Sequence, residues 1–375
     1  MLKTAIVHEW LVNYAGSERC VESFTNIWKD APVFTLVDFL NEAERKIILK
    51  GRRALPSFIQ KLPFAKTQHR KYLPLFPFAI EQFDLNAYDL VLSSSHAVAK
   101  GVLTNSNQLH ICYCYTPMRY AWDLYHVYLK EAGLLSGISG LTAKMILHRL
   151  RAWDIISSNR VDHFIAISNH ISKRIKKTYN RESVVIYPPV DVHLFECSSD
   201  KEEFYLTASR MVSYKRIDII VDAFTSMPDK KLVVIGDGSE MKKIKAKAGK
   251  NVEILGYQEF AVLKSYMQKA KAFIFAAEED FGIIVVEAMA CGTPVIALNI
   301  GGASETVNDH KVGVLFSHQT PESVKEAVLK FEAVQDKFDP AYIRNHSLKF
   351  GRDIFEDKIK QFIKLKSDEF FSEKK

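Results

Sequence analysis

Cysteine is scarce in this 375-residue chain. The five residues, Cys20, Cys112, Cys114, Cys197 and Cys291, are an odd number and dispersed. Their one close pair is a C-x-C within an apolar run, so neither a disulfide framework nor a zinc site is indicated, and a reducing cytosolic setting fits. Glycine (16) and proline (12) are too few for a collagen-like chain, and 47% hydrophobic residues are too many for a disordered one. No uncharged apolar stretch reaches the ~18–20 residues that a membrane span needs. The opening MLKTAIVHEW passes from a short apolar run straight into His and Glu, so no signal peptide is expected. Three motifs are also missing. The G-x-G at Gly236 lacks the last glycine of a dinucleotide fingerprint, because Met241 stands there, and neither a Walker A sequence nor a D-x-D occurs. The first two absences argue against a nicotinamide enzyme and an NTPase.

What is present is an alternation. Short β-rich runs, Thr4–His8, Val33–Val37, Leu90–Ser93, His110–Tyr115 and His163–Ile167, are separated by helix-length amphipathic segments. The pattern resumes at Tyr205–Ala208, Leu232–Ile235, Val252–Leu255, Phe273–Phe275 and Val295–Leu298. Several runs are apolar at consecutive positions, as strands covered on both faces are, and helices between strands imply parallel sheets. Ten strands fall into two sets, divided at Tyr187-Pro188-Pro189, where the Pro-Pro pair disfavours both helix and central strand. Segments 1–187 and 188–350 are thus read as domains, with 341–366 helical and the last residues a fraying tail.

Charge divides at the same place. Lys and Arg exceed Asp and Glu by 51 to 44, and residues 1–190 hold 24 basic against 15 acidic side chains, while 191–375 hold 27 against 29. Asymmetry of this kind suggests an anionic partner for the first half. The surplus is densest from Arg45 to Ile80, with nine Lys or Arg, no Asp or Glu, four prolines, and Phe58, Phe64, Tyr72, Phe76 and Phe78 interspersed. Cations interleaved with aromatics suit an interfacial membrane segment, with Arg52, Arg53, Lys61, Lys66, Arg70 and Lys71 as its contacts. A plain solvated face is the alternative. A nucleic-acid surface has no recognition motif to support it.

Four stretches carry chemistry. Glu279 stands just past the strand Phe273–Phe275, where ligands bind in parallel sheets, and Gly282 opens a helix that contains Glu287. Two carboxylates framing a helix N-terminus place phosphate-binding amides beside acceptors for sugar hydroxyls. Arg210 and Lys215, after Tyr205–Ala208, can converge on one anion and neutralise a diphosphate in place of a metal ion. Gly236-Asp237-Gly238 is a strand-to-turn junction. Near the N-terminus, Asn13–Arg19 links the first strand to the first helix, with Ser17 able to cap it and Gly16 able to admit a ligand close to the backbone.

Together these stretches resemble the retaining glycosyltransferases of GT-B fold, numbered family 4. The likeness is strongest from Leu206 to Val307. Glu279 and Glu287 match the E-x7-E motif, Arg210 and Lys215 the phosphate pair, Gly236–Gly238 the G-D-G turn, and Gly301-Gly302-Ala303-Ser304-Glu305 a later G-G-x-x-E. Ser93–His96 and Cys112–Asp123 resemble mannosyltransferases of bacterial O-antigen assembly.

The resemblance implies an α/β fold of two Rossmann-like doubly wound domains facing a central cleft, with a C-terminal helix (351–375) returning to the first domain. It implies donor contacts at Gly16, Arg210, Lys215, Gly256, Tyr257, Glu279, Phe281, Gly282, Ile283 and Glu287, with Glu279, Arg210, Lys215, His96 and Tyr115 as the catalytic set. Relatives place a His where Tyr115 stands, and a phenol is a poor base near pH 7; His96 can partly cover that role. The E-x7-E proline is replaced by Val285. The expected activity is transfer of a hexose, mannose from GDP-mannose, to a lipid-linked saccharide in surface-polysaccharide synthesis. It is expected on the inner face of the cell membrane, with no cofactor, no metal and no nucleic acid. A UDP-sugar donor, a sugar-nucleotide 2-epimerase and a non-catalytic binding protein are the competing readings.

Overall fold

The computed structural model describes residues 2–372. The chain forms two compact units: one runs to Tyr187 and resumes at Phe355, and the other is Pro188–Ile354.

The first unit is built on a seven-stranded sheet: β1 Thr4–His8, β2 Val33–Thr35, β3 Leu55–Pro56, β4 Leu90–Ser95, β5 Leu109–Cys114, β6 His163–Ala166 and β7 Ser183–Val185. Its order is β3-β2-β1-β4-β5-β6-β7, and every pairing is parallel. The central strands β1, β4 and β5 are buried along their whole length, which is why each carries apolar residues at consecutive positions. Alternate residues serve opposite faces. Ala5, Val7 and Val91 join Phe76, Ala79, Ile80, Leu147 and Leu150 in one core. On the other face Phe24, Tyr113 and Phe355 form a triangle of rings with centroids 5.5–5.8 Å apart. Burying an aromatic of this size contributes about 2 kcal/mol. Since Phe355 belongs to the last helix, Arg352–Ser372, the triangle fastens that helix to the first unit, and Asn26 donates to Glu356 at 2.9 Å beside it.

The second unit has a six-stranded parallel sheet: β8 Phe204–Ala208, β9 Lys231–Ile235, β10 Val252–Gly256, β11 Ala272–Phe275, β12 Val295–Leu298 and β13 Gly313–Phe316, in the order β10-β9-β8-β11-β12-β13. Helices Ile217–Thr225 and Pro321–Glu332 bury Ile220, Phe224, Val324 and Phe331 against it. In both sheets the strand order reverses once, between β1 and β4 and between β8 and β11. The carboxyl ends of those strand pairs are where open α/β sheets take ligands.

Three strands escaped the sequence pattern. Leu55–Pro56 is two residues long with a proline, tolerable only at an edge; Ser183–Val185 has three residues, and Gly313–Phe316 begins on a glycine. The expected helix 341–366 is in fact two, Pro340–Leu348 and Arg352–Ser372. The break has a cause: Val190 donates to the Phe350 carbonyl at 3.0 Å, Gly351 bridges Val190, and Arg352 pairs with Asp191 at 2.6 and 2.9 Å, so the backbone there bonds sideways. The tail expected to fray is helical as far as Ser372, anchored by buried Ile359, Ile363 and Ser367. Its last three residues lie outside those described.

Candidate functional site

At the break in the second sheet, Lys215 and Glu279 come together. Lys215 closes a 3-10 turn, Ser213–Lys215, that follows β8, and Glu279 follows β11 by four residues. Their side chains form an ion pair, with only 13% and 19% of each exposed. Arg210 lies on the same loop as Lys215, exposed, and donates to the Tyr214 hydroxyl at 2.9 Å. Glu287 sits in helix Ile283–Ala290, buried, with Gly282 as the N-cap. The helix opens directly after the Glu279 loop, so its first-turn amides belong to the same place; among them Val285 donates to the Gly282 carbonyl at 3.0 Å. Gly256 ends β10, two strands away on the same edge, and Tyr257 follows it, exposed.

The glycine motifs hold these loops together. A side chain on Gly236 would put its Cβ 1.8 Å from the Ser209 carbonyl oxygen. The bare backbone instead lets Ser209 donate to Ile235 at 3.0 Å and Met211 to Asp237 at 2.8 Å, which locks the Arg210 loop to the G-D-G turn. At Gly302 a Cβ would meet the Phe281 backbone at 2.2 Å. There the Gly302 amide donates to the Glu279 carbonyl at 2.7 Å and Gly301 forms a bridge with Glu279. The G-D-G and G-G motifs therefore position Arg210 and Glu279 from behind.

The first unit has its own polar cluster, again at the break in strand order. Register places His8 beside Ser94. The Tyr115 hydroxyl donates to the Ser17 carbonyl at 3.0 Å, which leaves the Ser94 hydroxyl as donor to Tyr115 at 2.8 Å. With its one proton so used, Ser94 accepts from His8 Nδ1 at 2.9 Å. His8 Nε2 faces Glu18 Oε1 at 3.5 Å. Ser17, expected as a cap, does not cap helix Gly16–Ile27, whose N-cap is Ala15, two residues earlier. Glu18 instead accepts from the Ala15 amide at 3.1 Å and the Ser17 hydroxyl at 3.0 Å. Burial works to raise the Glu18 pKa, but the bonds from His8 and Ser17 prevail and hold it below the ordinary value. Burial pushes the Tyr115 phenol well above its ordinary value, so it is a protonated tether between β5 and the helix start.

Glu9 is wholly buried and caged. Its carboxylate accepts from the Ser95 hydroxyl and from the amides of His96, Ala97, Val98 and Ala99, all between 2.8 and 3.1 Å. Burial opposes its charge, yet His96 and the amides together leave the pKa lowered. The cage fixes the turn that carries His96, whose ring stands edge-on to Trp10 at 4.7 Å and near Tyr115 at 6.1 Å. Burial lowers the His96 pKa, more than Glu9 raises it. His8, Glu9, Glu18 and Ser94 were not among the residues picked out from sequence. The available signal was the His8-Glu9 pair closing an apolar strand.

The basic segment is narrower than its sequence suggested. Arg45 is buried against Asp38 at 2.6 Å, and the Arg52 guanidinium donates to the Ala31 and Leu49 carbonyls. Arg45 is thus internal, and Arg52 is half-buried with part of its guanidinium given to carbonyls. Arg53, Lys61, Lys66, Arg70 and Lys71 are exposed, as are Phe58, Phe78 and, at 75%, Phe64. Among the described residues no helix is long and apolar enough to cross a membrane, and no group of three or more His, Cys, Asp or Glu is placed to hold a metal ion.

Residues 195–346, which carry every second-unit loop described above, match the family Glycosyl transferases group 1. The uncharacterised glycosyltransferase MJ1178 of Methanocaldococcus jannaschii is 33% identical over 174 residues, 45% of this chain and 49% of that one. A GDP-mannose-dependent monoacylated alpha-(1-6)-phosphatidylinositol monomannoside mannosyltransferase of Corynebacterium glutamicum is 29% identical over 39% of this chain and 47% of its own. The chain spans about half the length of the curated relatives it matches. Anabaena HepE, solved in complex with UDP, superposes with a TM-score of 0.68 over 96% of this chain and 99% of that one at 16% identity. That likeness shows the fold, which is GT-B.

Proposed function

We propose that this chain is a retaining glycosyltransferase that moves a hexose from a nucleotide sugar to a lipid-linked saccharide, with GDP-mannose as the donor. The observation that carries the reading is the convergence of Lys215, Glu279, Arg210 and the start of helix Ile283–Ala290 at the break in the second sheet. The group 1 match over 195–346 and the GDP-mannose dependence in the name of the Corynebacterium relative support it. The UDP bound to HepE keeps a uridine donor as the second reading.

On this reading the donor diphosphate exchanges partners with the ion pair. Lys215 turns to the phosphate, with Arg210 and the first-turn amides, and Glu279 is released to accept from sugar hydroxyls. Glu287 takes the ribose, and the backbone at Gly256 and Tyr257 meets the base. As the glycosidic bond breaks, the β-phosphate gains charge, and the two cations act where that charge develops. They do a metal ion's work, so transfer proceeds without added divalent cation. Lys61, Lys66 and Lys71 with Phe58, Phe64 and Phe78 form a face for an anionic membrane, which brings the enzyme to its acceptor.

Thermal melting across nucleotide sugars is the direct test. A donor at 100 times its Kd adds ~2.7 kcal/mol, and GDP-mannose is expected to give the largest shift, followed by acceptor-dependent transfer that Glu279→Gln slows by about 10²–10³-fold. Conversion of the donor to an epimer without acceptor overturns the reading.

A further inference from the structure

His69 is a buried imidazole with nothing to do in the site so far described. It is 8% exposed, and neither ring nitrogen closes a hydrogen bond, although the Ala65 carbonyl lies near enough to favour the charged ring electrostatically. Burial and then the neighbouring Arg70 charge outweigh that influence and lower its pKa, so the ring is neutral near pH 7 with one N–H and one lone pair to offer. Buried polar atoms without partners are uncommon and ask for an explanation.

Its surroundings supply one. The His69 ring packs on Trp10, centroids 5.6 Å apart, and the Arg70 guanidinium lies 5.6 Å from the same indole. Trp10 follows β1 by two residues and touches His96, the residue after β4. The group thus stands at the carboxyl ends flanking the break in the first sheet, the ligand end of such a fold. Arg70 is exposed and meets no acidic side chain among the described residues, and the buried Glu9 carboxylate at this strand end is already saturated by five donors. A guanidinium held against an indole loses little freedom on gripping a phosphate, whose geometry its fork matches. Exposed Lys66 and Lys71 and exposed Phe64, Leu75 and Phe78 flank it, which suits a phosphate that carries a hydrocarbon tail.

We propose that Arg70, Trp10 and His69 form the subsite that recognises the acceptor's polyprenyl phosphate: Arg70 takes the anion, Trp10 orients Arg70, and His69 donates to a phosphate oxygen. The proposal rests on the lipid-linked acceptor assigned above and moves Arg70 from the membrane face to the acceptor site.

The test is calorimetric titration of the full chain with farnesyl phosphate, with farnesol, inorganic phosphate and phosphatidylglycerol vesicles as separate arms. Arg70→Gln is expected to weaken farnesyl phosphate about tenfold, which is ~1.4 kcal/mol. His69→Phe should weaken it several-fold while melting no lower than the parent, because Phe fills the space without stranded nitrogens. Farnesol and vesicles should bind all three proteins alike. Unchanged farnesyl phosphate binding in both variants, no binding by the parent, inorganic phosphate binding as tightly as farnesyl phosphate, or an equal loss on vesicles overturns the subsite. Melting shifts with nucleotide sugars, measured on the same proteins, should not differ between them. A parent with no such shift sinks the donor reading and leaves this result standing by itself.

Discussion

Lys215 and Glu279, 64 positions apart in sequence, form an ion pair across the one place where the second sheet reverses its strand order. On the function proposed above, each balances the other's charge until a ligand with both phosphates and hydroxyls replaces the pair. Residues that act as such a unit are not additive. Lys215→Met and Glu279→Gln should each lower kcat by about 10²–10³-fold. The double variant should lose little more than the worse single one, and steady-state kinetics on all three proteins checks this. A double variant at the product of the two losses would mean independent roles.

Gly236→Ala should break the clasp behind Arg210. With Cβ 1.8 Å from the Ser209 oxygen, one of the two loops must move, at a cost of about 2–4 kcal/mol. Melting should fall by several degrees, and nucleotide affinity should fall with it. Stability lost with affinity intact would show that the clasp does not aim Arg210.

Glu9 makes the first unit acid-sensitive. Its folded pKa is lowered below the unfolded value of 4.5, so its contribution is present above about pH 4.5 and is lost as pH falls through the folded pKa. Glu9→Gln should destabilise at pH 7 by about 2–4 kcal/mol, since an amide N–H2 must face N–H donors. It should also flatten the decline of stability below pH 4.5. Denaturant melts at pH 7, 5 and 3.5 give both readings.

Tyr115→Phe removes bonds to Ser94 and the Ser17 carbonyl, about 1–2 kcal/mol of stability. Because burial keeps the phenol protonated far above neutral, the pH–rate profile should keep its shape while kcat falls only several-fold. Loss of a basic limb from that profile would make Tyr115 a proton acceptor after all.

Neutralising Lys61, Lys66 and Lys71 together should weaken binding to anionic vesicles about 100-fold at low salt, at ~1 kcal/mol per cation. Arg52→Gln should not, because that guanidinium already serves backbone carbonyls. Vesicle sedimentation at two salt concentrations separates the cases.

The sequence made the parallel sheets and the second-unit loops legible, because buried strands are apolar at consecutive positions and the chemistry there sits in short local motifs. Of the first-unit cluster only Tyr115 and His96 were legible, and only through the family resemblance. His8, Ser94, Tyr115 and Glu18 meet only through the register of β1 against β4 and the angle of the first helix, which no local pattern encodes. Arg45 and Arg52 misled for the same reason: a cation's sequence neighbours do not reveal whether Asp38 or a carbonyl is waiting for it. Ser17 had the right chemistry for a cap, but the helix began at Gly16 and Glu18 did the work.

The cage around Glu9 has one more consequence. Backbone amides gathered at a strand end are a receptor for anions, and in the first unit the chain has supplied its own, wired permanently in place by five donors. A helix start such as that of Ile283–Ala290 is a receptor of the same kind. The receptor in the first unit is plugged by a single side chain. Cutting Glu9 back to Ala would unplug the first, and small carboxylates such as formate should then restore its stability from solution.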